Sequence, residues 1–187
     1  MSDISIILIR HGEAAASWSE DPDPGLSDNG HEQAENLLIH DCYHDLSGYQ
    51  FISSPKLRAI ETSNFLAKKF NKNVRTDLSF SEIPATGVQM KDKMEWLGNI
   101  SSMPIEDLPL EVAVWRKKII TSLLLTKSNT VIFSHFMVMN VLASYAKGEQ
   151  RLLSFYPDYT SFIKIVLRNE SIYSIEFDKE KKTKINI

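Results

Sequence analysis

The sequence predicts an α/β fold: a three-layer sandwich whose mainly parallel sheet carries helices on both faces and a late antiparallel hairpin. Three observations lead there. ISIILIR (4–10) and TVIFS (130–134) are short β-branched runs, apolar at successive positions, as in strands covered on both faces. Stretches with apolar residues at helical spacing lie between such runs, and that alternation gives a parallel sheet. Near the end, FIKIVLR (162–168) and SIYSIEF (171–177) alternate apolar and polar residues across a polar turn, the pattern of an antiparallel pair.

In chain order, the first strand ends at Arg10 and is followed by a loop rich in Gly, Pro and Asp, DPDPGLSDNG (21–30). Residues 31–39 place Ala34, Leu37 and Leu38 at helical spacing. FISS (51–54) is a second strand. Ser54-Pro55 then reads as an N-cap followed by proline at the first helical position, opening a helix that runs to about Phe70. VRT (74–76) is a third short strand. Residues 81–108 are irregular, with Pro84, Gly87, Gly98 and Pro104. A helix from about Pro109 to Leu125 aligns Val112, Trp115, Ile119 and Leu123, and FMVMNVLASYA (136–146) is apolar on most faces, hence buried. The expected organisation is one domain over 1–178 and a charged tail over 179–187.

Composition narrows the function classes. The 187 residues are 43% hydrophobic, enough for one sizeable core, and the formal charge of −3 leaves no basic excess for nucleic acid. The one basic run, Lys179 to Lys184, reads as a solvated tail. Cys42 is the sole cysteine, so no intrachain disulfide forms. The N-terminus lacks the basic region of a signal peptide, and no segment reaches the roughly 20 apolar residues of a membrane span. The expectation is a cytoplasmic protein without membrane or nucleic-acid partners.

Three strands end in polar residues. The first delivers Arg10, His11, Gly12 and Glu13; the second Ser53 and Ser54, with Arg58 soon after; the fourth Ser134 and His135. In open α/β sheets ligands bind outside the carboxyl ends of the strands. A cluster of arginines and histidines there suits a phosphoryl group, which spreads its charge over three oxygens that a guanidinium fork and helix N-termini can meet. A cationic pocket also disfavours protonated imidazole, leaving a neutral histidine with a free lone pair. Taken singly, each residue has a plainer reading: His11 capping a carbonyl, His135 a satisfied core histidine, Arg58 solvated. Against the last, a cation in a first helical turn opposes the helix dipole unless an anion lies nearby.

These segments resemble a known family. IILIRHGE (6–13) is similar to the first-strand signature of the histidine phosphatase superfamily, the phosphoglycerate mutase-like proteins. SSPKLRAIETS (53–63), FSHFMVMNVL (133–142), DPGLSDNGHEQA (23–34) and SEIP (81–84) resemble its other blocks, in the family's order. The resemblance implies that His11 is the nucleophile, that Arg10, Arg58 and His135 bind the phosphate, and that Glu82 is the proton donor. Glu82 also reads simply as a surface loop acid. Ser17 stands where asparagine is frequent in the family and is the expected further phosphate ligand, Ala14 replaces a common serine, and Phe136 a frequent glycine. The implied activity is phosphomonoester hydrolysis through a phosphohistidine, without metal or organic cofactor, on a small phosphorylated molecule or a phosphopeptide.

Two alternatives remain at this level. The family's mutases carry a longer, more basic insertion after the glutamate block, whereas only Lys91 and Lys93 are basic between Glu82 and Pro109. A non-catalytic phosphate- or phosphoprotein-binding regulator with the same fold is the other. HDCYHD (40–45) places His40, Cys42 and His44, all metal-ligand types, at a helix end, which reads either as a metal site or as a polar helix terminus. Met90, Met94, Met103 and Trp96 read as a cap over the site or as filling for an irregular core.

Overall fold

The computed structural model describes residues 3–17 and 21–183. Strand β1 (Ile4–Arg10) lies near the centre of a six-stranded sheet. It pairs in parallel with β4 (Thr130–Ser134) and antiparallel with β5 (Phe162–Arg168). Beyond β4 follow β2 (Gln50–Ser53) and β3 (Val74–Thr76), both parallel; beyond β5 the hairpin closes with β6 (Ser171–Phe177). The mainly parallel sheet with one late hairpin is the architecture the sequence predicts.

The apolar run of β1 is explained by what covers it. Ile6 and Leu8 enter a core with α3 (Lys93–Ser102), α4 (Leu110–Leu124) and α5 (Phe136–Lys147). Ile7 and Ile9 enter a second core with α2 (Leu57–Phe70) and the one-turn segments around Leu37 and Tyr43. Successive strand residues point to opposite faces, so a strand serving two cores must be apolar throughout. In α5 every residue from Phe136 to Ser144 is buried. Its one buried amide, Asn140, is satisfied: Oδ1 accepts the Ser154 and Phe155 amides and Nδ2 donates to Phe136 O.

Four local readings need correction. The first helix, α1, spans Asp28–Glu35 rather than 31–39, because Ser27 caps it by accepting the Gly30 amide; residues 36–39 continue as a 3₁₀ turn. Helix α2 starts at Leu57, not at Pro55. Ser54 Oγ is engaged elsewhere, and Asp23 Oδ1 accepts the Leu57 amide at 3.1 Å from across the chain. Helix α3 lies inside the stretch read as irregular; Leu97 and Ile100 bury, Trp96 and Met103 pack against the same core, and Met90 and Met94 stay substantially exposed. HDCYHD forms a 3₁₀ turn instead of an α-helix end. There His40 Nδ1 accepts the Cys42 amide and His44 Nδ1 lies 2.9 Å from Asp41 O, so backbone partners occupy the two rings separately.

The charged segment after β6 lies along the preceding turn. Lys181 N donates to Tyr156 O, Asp158 N to Lys179 O, and Thr183 reaches back to Arg10. The side chains of Lys179, Lys181 and Lys182 are exposed while the backbone is docked; Lys184 lies outside the described residues.

Gly12 and Gly30 bring the loop after β1 against α1. A Cβ on Gly30 would stand 2.1 Å from Glu13 O, and one on Gly12 would stand 2.6 Å from Gly30 O, both backbone atoms that cannot yield. Gly30→Ala is therefore expected to cost about 2–3 kcal/mol, lowering the thermal midpoint by roughly 5–10 °C in a melt followed by circular dichroism. An unchanged midpoint would mean that α1 is not seated this closely.

Candidate active site

The strand order β2, β4, β1 sets three carboxyl ends side by side, and hydrogen bonding to β4 continues one residue past β1 and β2: His11 N donates to Ser134 O and Ser54 N to Phe133 O. His11, Ser54 and His135 thus leave adjacent strands at the same level. Arg58, in the first turn of α2, and Glu82, after β3, complete a cluster that is almost wholly buried.

Hydrogen bonds fix the groups. His11 Nδ1 lies 2.6 Å from Gly12 O, which can only accept, so Nδ1 carries the proton and Nε2 is a bare lone pair. That lone pair accepts the Arg58 Nε hydrogen at 3.1 Å. Arg58 NH2 lies 3.4 Å from His135 Nδ1 and 3.8 Å from Glu82 Oε2, and NH1 is 4.0 Å from Asp23 Oδ1. Glu82 Oε2 is 3.3 Å from His135 Nδ1 without hydrogen-bond alignment, while Glu82 Oε1 accepts the Ile83 amide. Thr62 Oγ1 accepts the Gly12 amide and donates to Arg58 O, tying the loop after β1 to α2.

Charge follows burial. Desolvation, reinforced by Arg58, holds both His11 and His135 well below the ordinary histidine range, so both rings are neutral near pH 7. Burial pushes Glu82 up to about 7 even though Arg58, the Ile83 amide and Arg10 oppose it. Burial lowers Arg58 too, offset by Glu82 and Asp23. Arg58 NH1 and Glu82 Oε2 are buried without a hydrogen-bond partner, so a buried cation and a buried carboxylate each have unused capacity at one spot. Each such group carries a cost that a bound oxyanion and its leaving group can relieve.

Of the residues singled out from sequence, His11, Arg58, Glu82 and His135 converge. Arg10 is buried close by, but its fork faces Pro157 O at 2.8 Å and Thr183 Oγ1 at 2.6 Å, with Tyr159 and Phe136 against its faces. Burial brings it to about 10, still cationic at neutral pH. Ser17 is exposed on the wall of a neighbouring cleft of about 950 Å³, shared with Glu13, Tyr159 and Thr183; none of the four converging residues lines it. Sequence reasoning brought Ser54 to the strand end without giving it a role in the site, and it missed Thr62 and Asp23. Ser54 was spent on a helix cap, and Thr62 and Asp23 carry no motif of their own.

His11, Glu82 and His135 also present ligand atoms within 4.8 Å of one another, the sole such trio among the described residues. The Arg58 guanidinium already lies on His11 Nε2 and beside His135 Nδ1, so a metal ion there would meet a fixed cation at the atoms it needs. The set suits an anion better than a metal.

Comparison with known proteins identifies the family and the fold. The model of the histidine phosphatase superfamily (branch 1) matches residues 6–185. Among solved structures, phosphoserine phosphatase from Entamoeba histolytica, in complex with 3-phosphoglyceric acid, is 21% identical, covering 94% of this chain and 98% of its own, with a TM-score of 0.68. A mycobacterial glucosyl-3-phosphoglycerate phosphatase is 16% identical over 96% of this chain and 99% of its own, TM-score 0.72. Phosphoglycerate mutase from Bacillus anthracis str. Sterne is 17% identical over 96% and 94%, TM-score 0.67. No curated protein matches the chain in sequence.

Proposed function

The chain belongs to branch 1 of the histidine phosphatase superfamily, and on that premise we propose that it is a phosphohydrolase working through a phosphohistidine on His11, without a metal or organic cofactor. The observation that carries this is the fixed tautomer of His11: a neutral ring whose bare Nε2 points at the guanidinium where phosphoryl oxygens would bind.

In this reading a phosphomonoester displaces the Arg58 contact from Nε2, and its oxygens take the guanidinium hydrogens. Nε2 attacks phosphorus in line, forming the P–N bond as the P–O bond to the alcohol breaks. Glu82, about half protonated at pH 7, gives its proton to the departing oxygen. Water then attacks phosphorus, the P–N bond returns its electron pair to His11, and Glu82 takes the water's proton. Arg58, with Arg10 behind it, supplies the positive charge that metal ions supply in two-metal enzymes.

Small phosphorylated molecules are the expected substrates, in a cytoplasmic setting. The hydrolase reading is favoured over the mutase because the segment from Glu82 to Pro109 brings only Lys91 and Lys93 as additional cations. A screen of sugar phosphates, nucleotides and phosphopeptides for release of inorganic phosphate, before and after dialysis against a strong chelator, tests both parts. Release that survives chelation is expected. Activity lost to chelation and restored by a divalent ion would overturn the cofactor-free mechanism. Tight binding of phosphorylated ligands with no release would turn the reading to a regulator.

A further inference from the structure

Arg58 is a buried cation with two carboxyl groups beside it, and the two differ in exposure. Glu82 Oε2 lies 3.8 Å from NH2 inside the cluster, its side chain 4% exposed; Asp23 Oδ1 lies 4.0 Å from NH1, its side chain 45% exposed. Among the charged groups set around Arg58, Asp23 and Lys56 are the ones that reach water, and Lys56 Nζ is 3.8 Å from Asp23 Oδ1.

One oxygen of Asp23 therefore faces three positive groups. They are the Leu57 amide at the start of α2, 3.1 Å away, the Lys56 ammonium and the Arg58 guanidinium. An anion finds just such donors at a helix N-terminus. The fit to Arg58 is incomplete, however. At 4.0 Å the carboxylate is too far for a hydrogen bond, and NH1 stays a buried donor without a partner. It is still near enough for its charge to act strongly. A phosphoryl oxygen arriving at NH1 gains a hydrogen bond but meets a resident negative charge beside it.

The loop that carries Asp23 is fastened to its surroundings, so the side chain is the part that yields. Leu26 N donates to Glu61 Oε2 at 2.6 Å, Ala15 N to Gly25 O, and Lys56 Nζ to Pro22 O at 3.3 Å. A turn about the side-chain bonds of Asp23 carries the carboxylate into water, which solvates it. We propose that Asp23 is a resident counter-ion of Arg58, a positioning residue that holds the anion seat in the resting protein and competes with the phosphoryl group for it, keeping affinity for phosphate low and easing release of the product. The inference rests on the phosphohydrolase reading for the identity of the incoming anion.

The plainer role of Asp23 is to cap α2, and Asp23→Asn separates the two, because an amide of the same shape keeps an oxygen for the Leu57 amide and loses the charge. Calorimetric titration of the folded protein with inorganic phosphate needs no turnover. Asp23→Asn should bind phosphate roughly 3- to 10-fold more tightly than the wild type at low ionic strength, with little change in thermal midpoint. The gap should narrow as salt rises toward about 1 M, where charges are screened beyond ~3 Å. Asp23→Ala loses the acceptor as well, so its midpoint should fall while phosphate still binds more tightly than in the wild type. In turnover, KM for a phosphomonoester should fall in Asp23→Asn by a similar factor, and phosphate should become the stronger product inhibitor. Unchanged or weaker phosphate binding in folded Asp23→Asn, the result a cap alone predicts, overturns the proposal. Tighter phosphate binding by the variant of a protein that hydrolyses no phosphoester would instead overturn the phosphohydrolase reading and leave the role of Asp23 standing.

Discussion

His11→Ala is expected to lose ~100-fold or more of kcat/KM, because it removes the atom that forms the covalent bond and no neighbour can replace it. The His135 ring stands edge-on to His11, centroids 5.2 Å apart, but both its nitrogens are engaged, Nε2 with Ser54 Oγ and Nδ1 with Arg58 NH2, and Glu82 accepts from the Ile83 amide. Alanine also takes the acceptor from Arg58 Nε, a buried donor, at a cost of about 1–3 kcal/mol. His11→Asn separates the two effects, since its amide oxygen can accept from Arg58 but cannot carry a phosphoryl group through turnover. Both variants should be inactive, with asparagine the more stable in a thermal melt. Wild-type protein quenched during turnover of a ³²P-labelled ester should hold label that withstands alkali and is lost in acid, mapping to His11. Near-wild-type turnover in a folded His11→Ala protein would rule out the mechanism.

The parts of this site that were legible in the sequence are those set by strand ends. A strand buried on both faces must be apolar throughout, so the first polar residues after ISIILIR and TVIFS, at Arg10-His11 and Ser134-His135, mark where the sheet meets its ligand side. Ser53-Ser54 does the same for β2. What sequence could not supply was the direction of side chains once the chain leaves the sheet. Ser54 before Pro55 has every local mark of a helix cap, but tertiary packing gave its hydroxyl to His135 and the cap to Asp23, in a loop more than thirty residues earlier. Arg10 and Arg58 look equivalent in the motifs. One fork enters the histidine cluster while the other turns to Pro157 and Thr183, a choice made by Phe136, Tyr159 and the returning C-terminal segment. Helix α3 escaped because its mixed residues and Gly98 blur the helical period, and its stability comes from seating Leu97 and Ile100.

Arg58→Lys is expected to cost roughly 2–4 kcal/mol of transition-state stabilisation, about 30- to 1,000-fold in kcat/KM, although it conserves charge. One guanidinium meets His11 Nε2 through Nε, His135 Nδ1 and Glu82 Oε2 through NH2, and the Asp23 side through NH1. An ammonium on a flexible stem can stand at one of those corners at a time, so it cannot clamp two phosphoryl oxygens in a plane. Because the charge stays, His11 and His135 should stay neutral and the pH profile of the lysine variant should keep its shape while its height falls. Arg58→Gln removes the charge as well, and its profile should move. Arg58 holds both histidines down, so without it their ordinary affinity for protons partly returns, and the acid limb rises in pH. Arg58 also opposes the upward push of burial on Glu82, so the alkaline limb, set by that proton donor, rises above about 7. The pair of variants thus divides the residue's two contributions, fork and charge, into height and position of one curve. A lysine variant as active as the wild type would show that Arg58 does not grip the phosphoryl group and that the reaction takes place elsewhere on the protein.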